Sequence, residues 1–258
     1  MAEALVRGLV ASGREAGSIT VTDPLPLRRR TMSRRYRVAT TADNVKAVAS
    51  ASVVVLAIKP QTMDAVLAEL GPALDRPALV VSIAAGVKIA RLERAFSDRI
   101  RVVRVMPNTP CLVGRGASVL CPGSRARPAD VRRVKALLAT VGKAFVVDDE
   151  KKMDAVTGLS GSGPAYVYLF AEALIGAGVR AGLPEDLARD LTYETIAGAA
   201  AMMIETGREP ADLRKAVSSP GGTTLAGLAR LDEGGFVRAV ADAVAAATRR
   251  SRELGRGR

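Results

Sequence analysis

Short runs of β-branched and aliphatic residues recur through the first half of the chain and stop near Asp148. Residues 52–58 read Ser-Val-Val-Val-Leu-Ala-Ile, and residues 78–83 and 100–106 are built the same way. Runs with no polar face are buried on both sides, as strands of parallel sheets are. Residues 18–22, Ser-Ile-Thr-Val-Thr, add one more strand. Helical patterns lie between the runs, at 2–11, about 25–35, 62–70 and 87–96. Strands that alternate with helices imply right-handed crossovers and a doubly wound sheet. A strand at 117–121, a helix at 128–140 and a strand at 144–147 extend that sheet. Beyond it only helical patterns remain, at 150–157, 164–181, 184–206, 209–217, 223–231 and 236–254. The fold class is therefore α/β: a doubly wound parallel sheet over 1–148, then an all-helical part over 149–258.

Two helical segments, 171–182 and 196–203, are rich in Ala and Gly, which permits close helix contact. In the last segment Phe236, Val240, Val244 and Ala247 recur at helical spacing, with Arg238, Asp242 and Arg249 off that face. Such helices form either an ordinary bundle or a unit that interlocks with a second copy, and periodicity does not separate the two.

The chain has no His, which excludes a Ser-His-Asp triad and any His-ligated metal. Cys111 and Cys121 are not spaced as a zinc or redox pair, so no metal site is expected, and reduced thiols point to a cytoplasmic protein. The net charge is +12. Basic clusters lie at 28–37 and 249–258, and only Tyr36 is interleaved with the first. That pattern favours a solvated basic surface over a nucleic-acid site. The first ten residues read as an amphipathic helix carrying Glu3 and Arg7, not as a signal peptide. The most apolar stretch, 165–179, is broken by Glu172, and a membrane span needs roughly 20 apolar residues. It reads as a buried helix.

Ligands of open parallel sheets bind beyond the carboxyl ends of the strands. Three strand ends carry suitable turns: Ala57-Ile58-Lys59-Pro60-Gln61, Ser82-Ile83-Ala84-Ala85-Gly86, and Met106-Pro107-Asn108-Thr109-Pro110. Each alone is an ordinary strand-to-helix turn; at successive strand ends they describe the rim of a dinucleotide cleft. The helical part has two turns of its own. Ser160-Gly161-Ser162-Gly163-Pro164 is not a phosphate-binding loop, because no Gly-Lys-Ser/Thr follows, and it serves as well as a plain helix cap with Ser162 at the N-cap. Ser218-Ser219-Pro220-Gly221-Gly222-Thr223-Thr224 exposes backbone N–H groups at a helix start, where a carboxylate is held without Arg or Lys.

These turns, with Asp154-Ala155-Val156-Thr157-Gly158-Leu159 leading into the Ser160 turn, are similar in order and spacing to the motifs of pyrroline-5-carboxylate reductases, nearly from end to end. The resemblance implies a Rossmann-like NAD(P)-binding domain followed by an all-α dimerisation domain, with dimers often joined into larger rings. It implies hydride transfer from NADPH or NADH to 1-pyrroline-5-carboxylate, giving proline. Carried over by position, Ala57, Ile58, Lys59, Pro60, Ile83, Ala84 and Ala85 line the dinucleotide, with Asn44 in a preceding loop. Ser219, Gly222, Thr223 and Thr224 hold the substrate carboxylate and ring nitrogen, and Glu150 aligns with a substrate-side position. Thr224 is the candidate catalytic residue; it orients the nitrogen or relays a proton. Asp23 is placed for a ribose 2′-OH, and Arg28, Arg29 and Arg30 for a 2′-phosphate; the balance is NADPH. The family opens with a strand and a Gly-x-Gly-x-x-Gly/Ala turn, of which only the last small position, at Ala2, is matched here. A start assigned too late is the expectation. Ala216 stands where many relatives carry Asn near the nicotinamide. Two rival readings are a related imine reductase and a helical dimer with an impaired cofactor site.

Overall fold

The computed structural model describes residues 1–256, which separate into two compact units, 1–162 with 245–256, and 163–244. The first unit takes in residues 245–256 as well as the sheet, whereas the sequence reading divides the chain once, at 148.

β-branched content makes the strands of the first unit. Their order along the chain is β1 (Thr20–Thr22), β2 (Ala39–Thr41), β3 (Val53–Leu56), β4 (Ala78–Ser82), β5 (Ile100–Met106), β6 (Gly116–Pro122) and β7 (Gly142–Val146). The helices are α1 (Ala2–Ala11), α2 (Pro26–Tyr36), α3 (Asn44–Val48), α4 (Met63–Ala73), α5 (Ile89–Ala95), α6 (Pro128–Ala139) and α7 (Lys152–Val156). β3, β4 and β5 are parallel neighbours, and every residue of β4 is buried. Side chains alternate between the two faces. Val80 and Val102 pack with Leu67, Leu70 and Leu92 of α4 and α5, while Leu79, Val81 and Val103 pack with Leu5 of α1 and Val134 and Leu138 of α6.

Two features differ from a single parallel sheet. First, β6 runs antiparallel to β5. Residues 107–115 form only a tight connection around a 3-10 turn at Thr109–Val113, and a parallel return needs a crossover of a dozen residues or more. α6 provides such a crossover, so β7 is parallel to β6. Second, β1 and β2 pair only with each other, and β3 begins a separate five-stranded sheet. α1 spans both: Ala4 and Leu5 belong to the core of the larger sheet, and Val6 packs with Met32, Tyr36 and Val38 under the smaller one. Tyr36 also donates to Glu3 Oε1 at 2.9 Å, tying α2 to α1. In the doubly wound order the position between β1 and β3 is that of a central strand; among the described residues none occupies it.

The second unit holds α8 (Gly163–Arg180), α9 (Glu185–Thr206), α10 (Pro210–Ala216), α11 (Thr223–Glu233) and the first part of α12 (Phe236–Arg256). Small side chains set the α8–α9 contact, with Ala171 and Ala188 buried. Large apolar side chains remain on the outside, including Leu169 at 66 %, Ile204 at 62 % and Val237 at 71 % exposure. Among the described residues no helix is long and apolar enough to cross a membrane.

Candidate cofactor and substrate sites

The register pairs Leu56 with Ser82 and Ser82 with Arg104, so the carboxyl ends of β3, β4 and β5 lie side by side. Ala57 to Pro60 and Ile83 to Ala85 are thereby brought onto one rim. Lys59 is extended and exposed, and Pro60 opens a 3-10 turn at Pro60–Thr62, where the Thr62 hydroxyl donates to Lys59 O at 2.9 Å. Ile83 and Ala84 are buried and Ala85 is exposed. Gly86 has φ +74°, a left-handed conformation that disfavours any side chain. At the β5 end the Asn108 amide joins two segments: its Oδ1 accepts from Ala117 N at 2.9 Å and its Nδ2 donates to Ser160 O at 3.3 Å. Residues Thr157–Gly161 form a π turn, a geometry common at functional positions.

Asn44 is the first residue of α3, not a loop residue, because Asp43 caps that helix by accepting from Lys46 N at 2.8 Å. Its amide donates to Glu69 Oε2 of α4 at 2.9 Å. A hollow of about 380 Å³ lies along α2 and β2, lined by Pro26, Arg29, Arg30, Ser33, Arg34 and Thr40. Arg29 Nη1 donates to the carbonyls of Asp23 and Pro24, at 2.6 and 3.0 Å, and so braces the end of β1. Asp23 Oδ1 accepts from Leu25 N at 2.8 Å. Three guanidinium groups around one hollow suit a phosphate monoester. Small residues at the strand ends, the left-handed Gly86 and this basic hollow together fit a nicotinamide dinucleotide.

In the second unit Ser219, Gly222, Thr223 and Thr224 sit together. Gly222 N donates to Ser219 O at 3.0 Å, closing a turn with Pro220 second and a left-handed Gly221 third, at φ +70°. That is the residue order of a type II turn. Gly222 is the N-cap of α11, so the amides of Thr223, Thr224 and Leu225 have no helical carbonyl to bind. They point the positive end of the helix dipole at whatever binds there. Ser219 and Thr223 are exposed and Thr224 is half-buried.

Glu150 lies in the first unit. Its Oε1 accepts from Arg104 Nη1 at 2.7 Å and from Ile89 N at 2.8 Å, so it caps α5. Arg104 is 4 % exposed, deep within β5. Burial pushes the thiol of Cys121 up; the nearby Glu150 charge acts in the same direction and Arg104 opposes it. The sequence reading missed Arg104, although an Arg inside the run Ile-Arg-Val-Val-Arg-Val-Met requires an acidic partner. Among the described residues no cluster of His, Cys, Asp or Glu could hold a metal ion.

Known proteins match this arrangement over its full length. The chain is 44% identical to a pyrroline-5-carboxylate reductase of Synechocystis, covering 99% of this chain and 95% of that protein. It is 43% identical to one from Pisum sativum, over 98% of this chain and 92% of the relative. The chain belongs to the pyrroline-5-carboxylate reductase family. Residues 150–254 match the family model for pyrroline-5-carboxylate reductase dimerisation, and residues 1–86 match that for coenzyme F420-dependent NADP oxidoreductases. The solved reductase from Coxiella burnetii superposes with a TM-score of 0.94 at 36% identity, over 99% of this chain and 95% of that one. The Plasmodium falciparum enzyme, solved with NADP bound, gives 0.86 at 32% identity, over 98% and 93%. Rossmann-like folding of the first unit and dependence on NAD(P)H follow from that membership.

Proposed function

We propose that this chain reduces 1-pyrroline-5-carboxylate to L-proline with NADPH. The observation that carries the substrate reading is the Ser219–Thr224 turn, which offers a carboxylate the free amides of α11 beside two Thr hydroxyls. When bound, NADPH supplies a hydride to the imine carbon, and the ring nitrogen takes up a proton. The chain's own residues do the positioning. Backbone N–H groups of Thr223 and Thr224 hold the carboxylate, and the Thr224 hydroxyl orients the ring nitrogen or relays its proton. A Thr hydroxyl is a weak acid, so its contribution is placement and proton relay, and most acceleration comes from positioning and electrostatics. Ala57–Pro60 and Ile83–Ala85 line the dinucleotide, with Asn44 at the edge of that rim. Arg30 and Arg34 favour a 2′-phosphate, hence NADPH over NADH. The helical unit joins two copies, and dimers join into a larger ring.

The test is oxidation of NADPH followed at 340 nm with 1-pyrroline-5-carboxylate. Saturable turnover is expected, with Thr224→Val slowed about 10²-fold, the lower range for a lost proton-handling group. Turnover untouched by Thr224→Val removes that role. Preference for a six-membered cyclic imine carboxylate favours a related imine reductase. A second reading is a non-catalytic helical dimer. Titrating NADPH fluorescence with the 258-residue chain separates the two, since the non-catalytic dimer binds none.

A further inference from the structure

The end of α12 lies against the turn that follows β4. An added Cβ on Gly86 would sit 3.6 Å from Leu254 Cβ and 3.8 Å from Gly255 N. One on Gly255 would sit 3.5 Å from Gly86 O and 3.4 Å from Lys88 Cε. These are ordinary van der Waals distances, so a single added methyl group on either glycine would reach the facing segment. One turn earlier Ser251, only 4 % exposed, donates from Oγ to Asp154 Oδ1 of α7 at 2.7 Å. Asp154 stands next to Met153, which is fully buried against Ile89, Val119 and Cys121.

The segment 83–89 is thus held at three places. At its start Ile83 N donates to Leu56 O at 3.2 Å, within the sheet. At its end Ile89 N donates to Glu150 at 2.8 Å. Between these anchors, at left-handed Gly86, it faces Leu254 and Gly255 closely. The hydrogen bond between Ser251 and Asp154 ties α12 to α7 one turn before this approach. A turn at a strand end approaches a dinucleotide through its backbone, so its shape sets cofactor affinity.

We infer that the last turns of α12 are a brace that positions the 83–86 turn for the cofactor, with Ser251 and Leu254 as positioning residues. The inference rests on the nicotinamide-dependent reading of the site. It also gives Asp154 a role: it receives the brace.

The test compares the full chain with Ser251→Ala, Leu254→Ala and Ser251→Thr. A hydrogen bond to a charged group is worth about tenfold or more. Ser251→Ala should raise KM for NADPH by about that factor, and kcat at saturating cofactor should move far less. KM for the imine substrate should hold, since the Ser219–Thr224 turn belongs to the other unit. Amide hydrogen exchange at 84–88 should quicken in Ser251→Ala and Leu254→Ala and return towards wild type in Ser251→Thr. If both Ala variants lose thermal stability while the NADPH KM and the exchange at 84–88 stay unchanged, the contact is only structural and the inference is wrong. Should Ser251→Ala fail to fold, Leu254→Ala decides by the same two readings. A wild-type chain that shows no saturable NADPH binding overturns the functional reading, and the cofactor role of the brace with it. Normal wild-type binding with unshifted variants overturns the inference alone.

Discussion

Cys121 shows how the sheet treats an ionisable group. It is 1 % exposed on β6, and burial raises its thiol above the ordinary range. The folded protein therefore keeps this proton at pH values where the unfolded chain releases it. The stabilising effect is complete below the unfolded thiol range and is lost as pH rises through the folded one. Native protein should react slowly with iodoacetamide at pH 8.5, and urea should restore a free-thiol rate; a fast native rate would show an open site. Glu150 permits a sharper test, because it binds both Arg104 and the start of α5. Glu150→Gln keeps an acceptor for Ile89 N but leaves Arg104 buried without its counter-charge. Breaking a buried pair costs about 3–5 kcal/mol, and the partial exposure of Glu150 lowers the expectation to about 2 kcal/mol. Urea denaturation measures it. Lost stability with an unchanged substrate KM marks Glu150 as structural; a substrate KM raised tenfold at unchanged stability marks it as a substrate contact.

α2 shows how an element adds specificity to a generic fold. Its positions 26, 29, 30, 33 and 34 fall on one helical face and line the hollow closed by Thr40. Charge reversal in Arg30→Glu should raise KM for NADPH at least tenfold and leave KM for NADH within twofold, since only the former carries a 2′-phosphate. Equal shifts for both cofactors would place the hollow outside the cofactor path. The elements differ in how far their residues announce them. β3 and β4 were readable as continuous aliphatic runs, and β5 from its Ile and Val content despite Arg101 and Arg104. α1 was readable to the residue from its amphipathic pattern. β2 and α3 were not, because Ala-Thr-Thr and a five-residue helix are too short to set a period. The Ser219–Thr224 turn was legible because Pro-Gly-Gly dictates its own backbone. The direction of β6, the pairing of Arg104 with Glu150 and the return of α12 to the first unit were not legible. Each depends on residues far apart in the chain, which no local pattern encodes.

The helical unit presents many large apolar side chains to solvent. Leu169, Ile204 and Val237 are more than half exposed, with Leu187, Leu191, Met202 and Met203 also open to solvent. A solvent-facing helix carries an apolar stripe on one side only. α8 and α9 pack together, with Ala171, Ala188 and Thr192 buried, and still present large apolar groups elsewhere. Monomers rarely expose contiguous apolar patches beyond a few hundred Å², and obligate homodimers bury about 2,000 Å² or more of such surface. A two-fold arrangement places the same patch on both copies, so one charged substitution acts twice. Analytical ultracentrifugation of the wild type should therefore show no monomer at micromolar concentration. The wild-type melting temperature should depend on protein concentration, and Ile204→Asp should shift the protein to monomer, with that dependence lost, or cause aggregation. A wild-type monomer at 10 µM with a concentration-independent melting temperature would mean that the exposed helices serve another partner. In that case assembly and catalysis would be separable in this protein, and turnover per chain would be the same at nanomolar and micromolar enzyme.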